Sequence, residues 1–463
     1  MFHNIRKKFF GDRKFYIMVL TIAIPIMVQN GVTNFVNMLD NIMIGAVGTE
    51  QMSGAAIVNQ LLFVYNLCIF GGVSGAGIFT AQYFGQKDHE GIRQTFRYKI
   101  WMGIILTVIA FVLFGFVGNN MISAYLKGGG TEVDAAATLL YGRRYMLIMV
   151  LGLPAFMMEQ VYASTLRECG HTLTPMKAGI VAVFVNLVLN YILIFGKLGF
   201  PALGVAGAAI ATVISRYIEF FIVLIWTHKH TEINTFAIGL YQTLKVPSNM
   251  TKKFTFKGTP LLLNETFWAA GIAVLAQCYS IRGLNVVAAL NISNTINNVF
   301  NIVFIALGDS VAIVVGQLLG AGKMKEARET DTKMITFSII CCSIVAFVML
   351  LLASVFPNFY NTNAEAKEIA KYLIMINALF MPNNAFLHAC YFTIRSGGKT
   401  GITFLFDSGF IWIVSVLLAF TLGHYTSLGI LWIYACVQLA DGIKSIIGFI
   451  LVKKGIWLNN IVS

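Results

Sequence analysis

The sequence predicts an all-α integral membrane protein with twelve transmembrane helices in two parallel six-helix repeats. Three observations carry this. Hydrophobic residues make up 57% of the chain and charged residues only 11%, against about 25% charged in an ordinary soluble domain. Apolar runs long enough to cross a hydrocarbon core of about 30 Å recur from end to end. The chain also repeats itself. At an offset of 228, Leu153–Thr172 is matched by Met381–Thr400, with Pro154 on Pro382, Thr165 on Thr393, Arg167 on Arg395, Gly170 on Gly398 and Thr172 on Thr400. Each copy is an apolar run that carries a proline and ends in an Arg-x-x-Gly-x-Thr turn.

In the first half, spans are expected near 16–43, 54–83, 98–118, 137–166, 175–195 and 204–227. Segments rich in Gly, Pro and charge separate them. A polar, Lys-rich stretch, His228–Lys257, reads as a linker. Spans then follow near 258–281, 286–319, 332–355, 364–394, 400–421 and 429–452. The repeat gives the same count. At an offset of 235, Pro25 falls on Pro260, Asn59 on Asn294, Gln82 on Gln317, Gly85 on Gly320 and Arg93 on Arg328. The offset shrinks to 228 after a longer loop at 127–134, and to 225 at Gly204 and Gly429. Six helices per half preserve orientation, so the halves should be related by an axis along the membrane normal. The expected domains are a first lobe, 1–227, a cytoplasmic linker, 228–257, and a second lobe, 258–463.

The formal net charge is +13, but its placement speaks of topology rather than of a nucleic-acid partner, since no soluble basic and aromatic module is present. Alternate loops carry the Lys and Arg: 24 on the side of the termini and linker, 7 on the other. Both termini and the linker are therefore expected in the cytoplasm, in a multi-pass plasma-membrane protein. The tally includes the N-terminal basic residues Arg6, Lys7, Lys8, Arg13 and Lys14 on the first side, and Lys127 on the second. The apolar run after the basic N-terminus is too long for a signal peptide and meets no cleavage site, so it reads as an uncleaved first helix. The seven cysteines lie in or beside apolar runs with no CxxC and no Cys/His cluster, and read as small apolar residues.

Ionisable groups inside a membrane are costly and mark function by default. Asp40 lies late in the first span, where a carboxylate can hold Na⁺, exchange a proton, or cap a helix end. Asn186 and Asn190, at i, i+4, share one helix face, and Thr212 adds a hydroxyl from the next span. Oxygen donors of this kind suit a hard cation if they converge on Asp40, and otherwise serve as interhelical glue. In the second half Glu265 follows Pro260 and has no basic residue at i±3 or i±4, which argues against an internal ion pair and for a protonatable or cation-attracting role. Asp309 and Asp407 sit in apolar surroundings and are candidates to join Glu265 in an acidic cavity, although Asp407 lies early in its helix. Arg216 with Glu219, and Asp441 with Lys444, are i, i+3 pairs at equivalent places with reversed signs, expected to neutralise themselves. Glu159 and His388 stand near the repeated prolines, the histidine expected to be hydrogen-bonded.

The sequence holds no HExxH, phosphate loop, nucleophile elbow or paired-Asp motif, so an enzyme is not expected. With no ATP site, uphill transport would draw on an ion gradient. In this context the chain resembles the multidrug and toxic compound extrusion (MATE) family. The resemblance rests on LDNIMIG after the first span, GQ-x-x-G with its following basic loop, and both Pro…Arg-x-x-Gly-x-Thr segments, in order across nearly the whole chain. It implies two six-helix lobes forming a V around a central cleft, and export of cationic and amphipathic drugs or metabolites by alternating access, driven by Na⁺ or H⁺. It also implies a cation site at Asp40, Asn186, Asn190 and Thr212, with Na⁺ possible at Asp40, Asn186 and Asn190, and an acidic role for Glu265. The chain departs from the pattern at Asn383, where NorM-like members carry Asp after the proline, unless Asp309 or Asp407 substitutes. The alternative is a lipid-linked oligosaccharide flippase of the same broad superfamily, for which cationic residues would be expected in the cleft. No cofactor beyond the coupling ion and no partner chain is called for; the expectation is a monomer whose partners are small-molecule cationic or amphipathic substrates and membrane lipid.

Overall fold

The computed structural model describes residues 8–126 and 132–463. Arg6, Lys7 and Lys127, counted in the charge tally, and residues 127–131 of the longer loop lie outside the described residues. Among those described, the long elements are all helices. α1 (Arg13–Gly45), α2 (Thr49–Gln86), α3 (His89–Leu126), α4 (Glu132–Val150), α5 (Leu153–Glu168), α6 (Leu173–Phe195) and α7 (Val205–Lys229) precede the connector. α8 (Ser248–Ser280), α9 (Leu284–Gly320), α10 (Met324–Leu352), α11 (Ala364–Ser396), α12 (Thr400–Tyr425) and α13 (Ile430–Lys454) follow it. Among the described residues, eleven helices are long and apolar enough to cross a bilayer, and the pair α4–α5, bent by 47°, passes the same test taken together, bringing the count to twelve where it counts as one broken span. Their outer faces carry bare apolar side chains, such as Ile105, Val108 and Ile109 on α3 and Ile344, Phe347 and Leu351 on α10. Water would not tolerate such stripes; lipid does.

The repeated proline acts differently in its two settings. Pro154 sits at the start of α5, just after the break at Leu151–Gly152. Pro382 lies inside an unbroken α11. Two residues ahead of the proline the first copy has Gly152 and the second Phe380. Glycine is the weaker helix former by about 1 kcal/mol, so the missing N–H of proline breaks one helix and is absorbed by the other.

Contacts divide the chain into two compact units, and this division is not that of the sequence repeat. One unit comprises Val28–Thr80 and His89–Thr255; the other comprises the chain up to Met27, Ala81–Asp88 and Phe256–Ser463. In the second unit the start of α1 is held by apolar packing, with Val19, Ala23 and Ile26 in one core with Val311, Val315, Leu319 and Trp457. The end of α2 is held by a reciprocal contact. A Cβ on Gly85 would run into the carbonyl of Gln317, and a Cβ on Gly320 into the carbonyl of Gln82. The two copies of the Gln-x-x-Gly motif thus lie directly on one another's backbone. The C-terminal segment packs beside them: Gln82 Nε2 donates to the carbonyls of Ser396 (2.9 Å) and Asn459 (3.2 Å), and Ile461 N donates to Gln82 Oε1 at 2.8 Å.

Within the first unit the connector is docked rather than loose. Arg97 donates to the carbonyls of Leu240 and Gly239, both at 3.0 Å, Arg93 to Phe236 at 3.2 Å and Trp101 to Leu244 at 2.9 Å. Lys99, read from the sequence as a loop charge, is instead fully buried in α3 and ion-paired to Glu168 at 2.6 Å. All seven cysteines are free.

Candidate functional site

In the first unit the late turns of α1 place Asp40 beside α6. Asn190 Nδ2 donates to Asp40 Oδ1 at 2.6 Å. With its nitrogen turned to the carboxylate, the amide of Asn186 donates to Oδ1 at 3.0 Å and Oδ2 at 3.3 Å, while its oxygen accepts from Thr212 Oγ1 at 3.3 Å; the orientation is assigned from the hydrogen-bond network. The i, i+4 spacing on α6 makes this convergence possible, because it aims both amides the same way. Asn186 and Asn190 are buried, and Asn190 Oδ1 has no hydrogen-bond partner. The site therefore offers a carboxylate, two rotatable amides and a hydroxyl, with one amide oxygen unspent. That set fits a hard cation such as Na⁺ or, alternatively, a proton on Asp40.

In the second unit Glu265 and Asp407 are brought together by a residue the sequence reading passed over. Asn264, buried on α8, donates through Nδ2 to Tyr391 OH (3.2 Å) and to Asp407 Oδ2 (3.1 Å). Its Oδ1 and its carbonyl accept from Ser408 Oγ, each at 2.8 Å. A wide π turn, Leu405–Gly409, presents Asp407 and Ser408 to it; such turns recur at functional sites. Glu265 is hydrogen-bonded to Asn264 and Tyr391 and lies in the fields of Arg395 and Asp407. No ion pair to Glu265 is found among the described residues; Arg395 of α11 acts on it only through its field.

Two other expectations are corrected here. Lys444 does not pair with Asp441; it reaches Asp407 Oδ1 at 2.9 Å, a neighbour brought by tertiary packing that no i, i+3 rule anticipates. His388 is not hydrogen-bonded through Nε2, which is buried without a partner while its ring packs on Phe304, Tyr391 and Phe392. By contrast, Arg216 and Glu219 do pair, at 3.7 Å. Asn383 accepts from Ser445 Oγ at 2.6 Å, and Asp309 lies half-buried on α9.

The MatE family model matches residues 25–192 and 261–423, which takes in Asp40, both amides of α6, Glu265, Asn383 and Asp407. The chain belongs to the MATE family. A probable multidrug resistance protein NorM of Thermotoga maritima is 26% identical over 421 residues, covering 90% of this chain and 88% of its own length. A probable multidrug resistance protein, YoeA of Bacillus subtilis, is 24% identical, with 89% of this chain and 88% of its own covered. Among solved structures, a mutant of the Vibrio cholerae MATE transporter VcmN aligns with a TM-score of 0.83 at 17% identity, covering 95% of this chain and 97% of the other. The fold is thus that of MATE transporters, and this is a multi-pass membrane transporter of the multidrug-efflux class.

The sequence signal for the missed residues was present but faint. Asn264 forms a polar dipeptide with Glu265 inside an apolar run, and Tyr391 lies one helical turn before the repeated Arg395. Lys444 has Asp441 at i−3 on its own helix, and that nearer acid masks its partner Asp407 on α12.

Proposed function

We propose that this MATE transporter exports organic cations and amphipathic drugs across the plasma membrane in exchange for Na⁺ or H⁺, by alternating access. The observation that carries the reading is the convergence of Asn186 and Asn190 on Asp40, with Thr212 bonded to Asn186 behind them. Without an ion, amide N–H groups satisfy the carboxylate. When Na⁺ arrives, the same amides can turn their oxygens inward; when a proton arrives, Asp40 becomes a donor and the Asn190 amide can turn its unpartnered Oδ1 to accept. Either event changes the hydrogen bonds that tie α1 to α6, which is the differential affinity a coupling ion needs in order to bias one conformation. Competition between ion and cargo then gives exchange. Glu265, with Asp407 beside it, supplies the acidic ground for a cationic substrate or a second coupling ion in the other unit.

The loop charges support cytoplasmic termini and a cytoplasmic connector. The reading needs no cofactor beyond the coupling ion, no nucleic acid and no second chain; cargo and lipid are the partners.

The test is efflux of a fluorescent organic cation from proteoliposomes, with a Na⁺ gradient and a pH gradient imposed separately. Drive by one gradient, abolished by Asp40→Asn or Glu265→Gln in folded protein, is the expected result and names the ion. Drive by neither transfers the assignment to the lipid-linked oligosaccharide flippase.

A further inference from the structure

The last carbonyls of a helix find no partner inside it. In the second unit α9 and α11 end close together, and one segment of chain answers for both. α13 stops at Gly455, whose φ of +70° turns the chain back. Trp457 then enters the core, fully buried, with its indole N–H given to the carbonyl of Val452 at 3.1 Å. Beyond it, Asn459 Nδ2 donates to the carbonyl of Gly397 at 3.4 Å and Asn460 Nδ2 to that of Gly320 at 3.1 Å. Asn460 Oδ1 accepts from the N–H groups of Val462 and Ser463, both at 3.0 Å, so one amide folds the segment and also pins it. Glycines make its seat. A Cβ on Gly397 would stand 1.9 Å from the carbonyl oxygen of Trp457, and one on Gly398 would stand 2.8 Å from the Ile461 side chain.

Into this seat the end of α2 inserts Gln82. The side chain is fully buried, and both ends of its amide are engaged: Nε2 with the carbonyls of Ser396 and Asn459, Oε1 with the N–H of Ile461. One turn on, Gly85 lies against the carbonyl of Gln317 on α9. By sequence α2 belongs to the first repeat, whereas α9, α11 and the segment belong to the second. Gln82 is thus a side chain of one repeat held by three backbone groups of the other. It cannot withdraw without leaving those buried groups unpaired, which costs more than the bonds themselves are worth in water. We propose that residues 457–463 are a latch on the cytoplasmic end of the transport path, with Gln82 as its catch. The segment holds the end of α2 on α9 and α11, and it releases Gln82 before the repeats part at that end to load cargo. The proposal rests on the alternating-access reading, with cytoplasmic termini, for the direction of opening. The tie between the segment and α2 stands on the contacts alone.

Hydrogen exchange of the full chain in lipid nanodiscs, read by mass spectrometry, tests the tie. Ile461→Pro removes the N–H given to Gln82 Oε1, and Gln82→Met removes the catch while keeping its length. Exchange in 81–88 should rise about tenfold in Ile461→Pro, the weight of one buried hydrogen bond. Exchange in 456–463 should rise by a like factor in Gln82→Met, because a coupling acts equally from either side. A rise confined to the substituted segment, or one extending equally to α7, overturns the latch. Its part in loading is read from efflux of the fluorescent cation by proteoliposomes. A larger share of cytoplasm-open protein binds cargo from that face more readily, so KM should fall by about threefold in both variants. Coupled exchange with KM unchanged or raised overturns the gating role. Coupled exchange in protein whose wild type is driven by neither gradient would instead count against ion-coupled export and leave the tie standing.

Discussion

Arg167 and Arg395 hold the same place in the repeat, as do Thr165 and Thr393, and Gln29 of α1 stands where α8 has Asn264. Around these shared residues the charges are exchanged. Thr165 receives a hydrogen bond from Lys99 at 3.0 Å, whereas Thr393 Oγ1 lies 2.5 Å from Asp331 Oδ1. Glu219 occupies the position of Lys444, and Gly179 that of Asp407. The second half thereby builds a closed ion pair across α12 and α13. The first half, with a glycine in place of the aspartate, is left with two acids and spare room. One duplicated scaffold thus supports a tight ion pair between two helices on one side and, on the other, a looser pair along one helix, Arg216 with Glu219 at 3.7 Å. Backbone-shaping residues were retained, while the groups they hold were free to change sign provided each buried charge found a partner or a proton.

The sharpest way to break this contrast is to remove the cation of the fixed pair. Lys444→Met should cost about 3–5 kcal/mol, because Asp407 is left charged and uncompensated, and adding Asp407→Leu should recover most of that loss; thermal unfolding in detergent measures both. Next in size, Gly179→Asp writes the second half's residue into the first and should cost about 3 kcal/mol. Combined with Glu219→Lys it should regain stability by recreating the pair, yet remain without gradient-driven export. If the double variant is no more stable than Gly179→Asp, the two positions are not equivalent in the way the repeat suggests. Asn264→Ala removes the donor and acceptor that join Tyr391, Asp407 and Ser408, and should cost about 1–3 kcal/mol by chemical unfolding. Least disruptive to the fold is Asp40→Asn, expected to change stability by no more than about 1 kcal/mol. Its efflux in proteoliposomes should nonetheless fall to the level of empty vesicles.

The scaffold was more legible in the sequence than the chemistry. Apolar run lengths and the offsets between copies located the spans, because a bilayer imposes length and a duplication repeats it. The convergence of Asn186 and Asn190 on Asp40 was legible for a local reason: the i, i+4 rule aims two side chains from one helix. Lys444 was not, since its partner Asp407 comes from another helix and sequence spacing says nothing of that. The tally of loop charges erred at Lys99 in the same way, treating as solvated a lysine that tertiary packing buries against Glu168.

The contact between Gln82–Gly85 and Gln317–Gly320 has the form of an isologous interface, in which each patch meets its own copy. Two-fold dimers are built this way, and here both subunits' patches have been written into one polypeptide. A dimer would carry any substitution at such a patch twice; a single chain carries it once, and can compensate on the other copy. The two motifs can therefore drift apart in their middle residues, as Tyr83-Phe84 and Leu318-Leu319 have done, while Gly85 and Gly320 stay bound to each other's backbone.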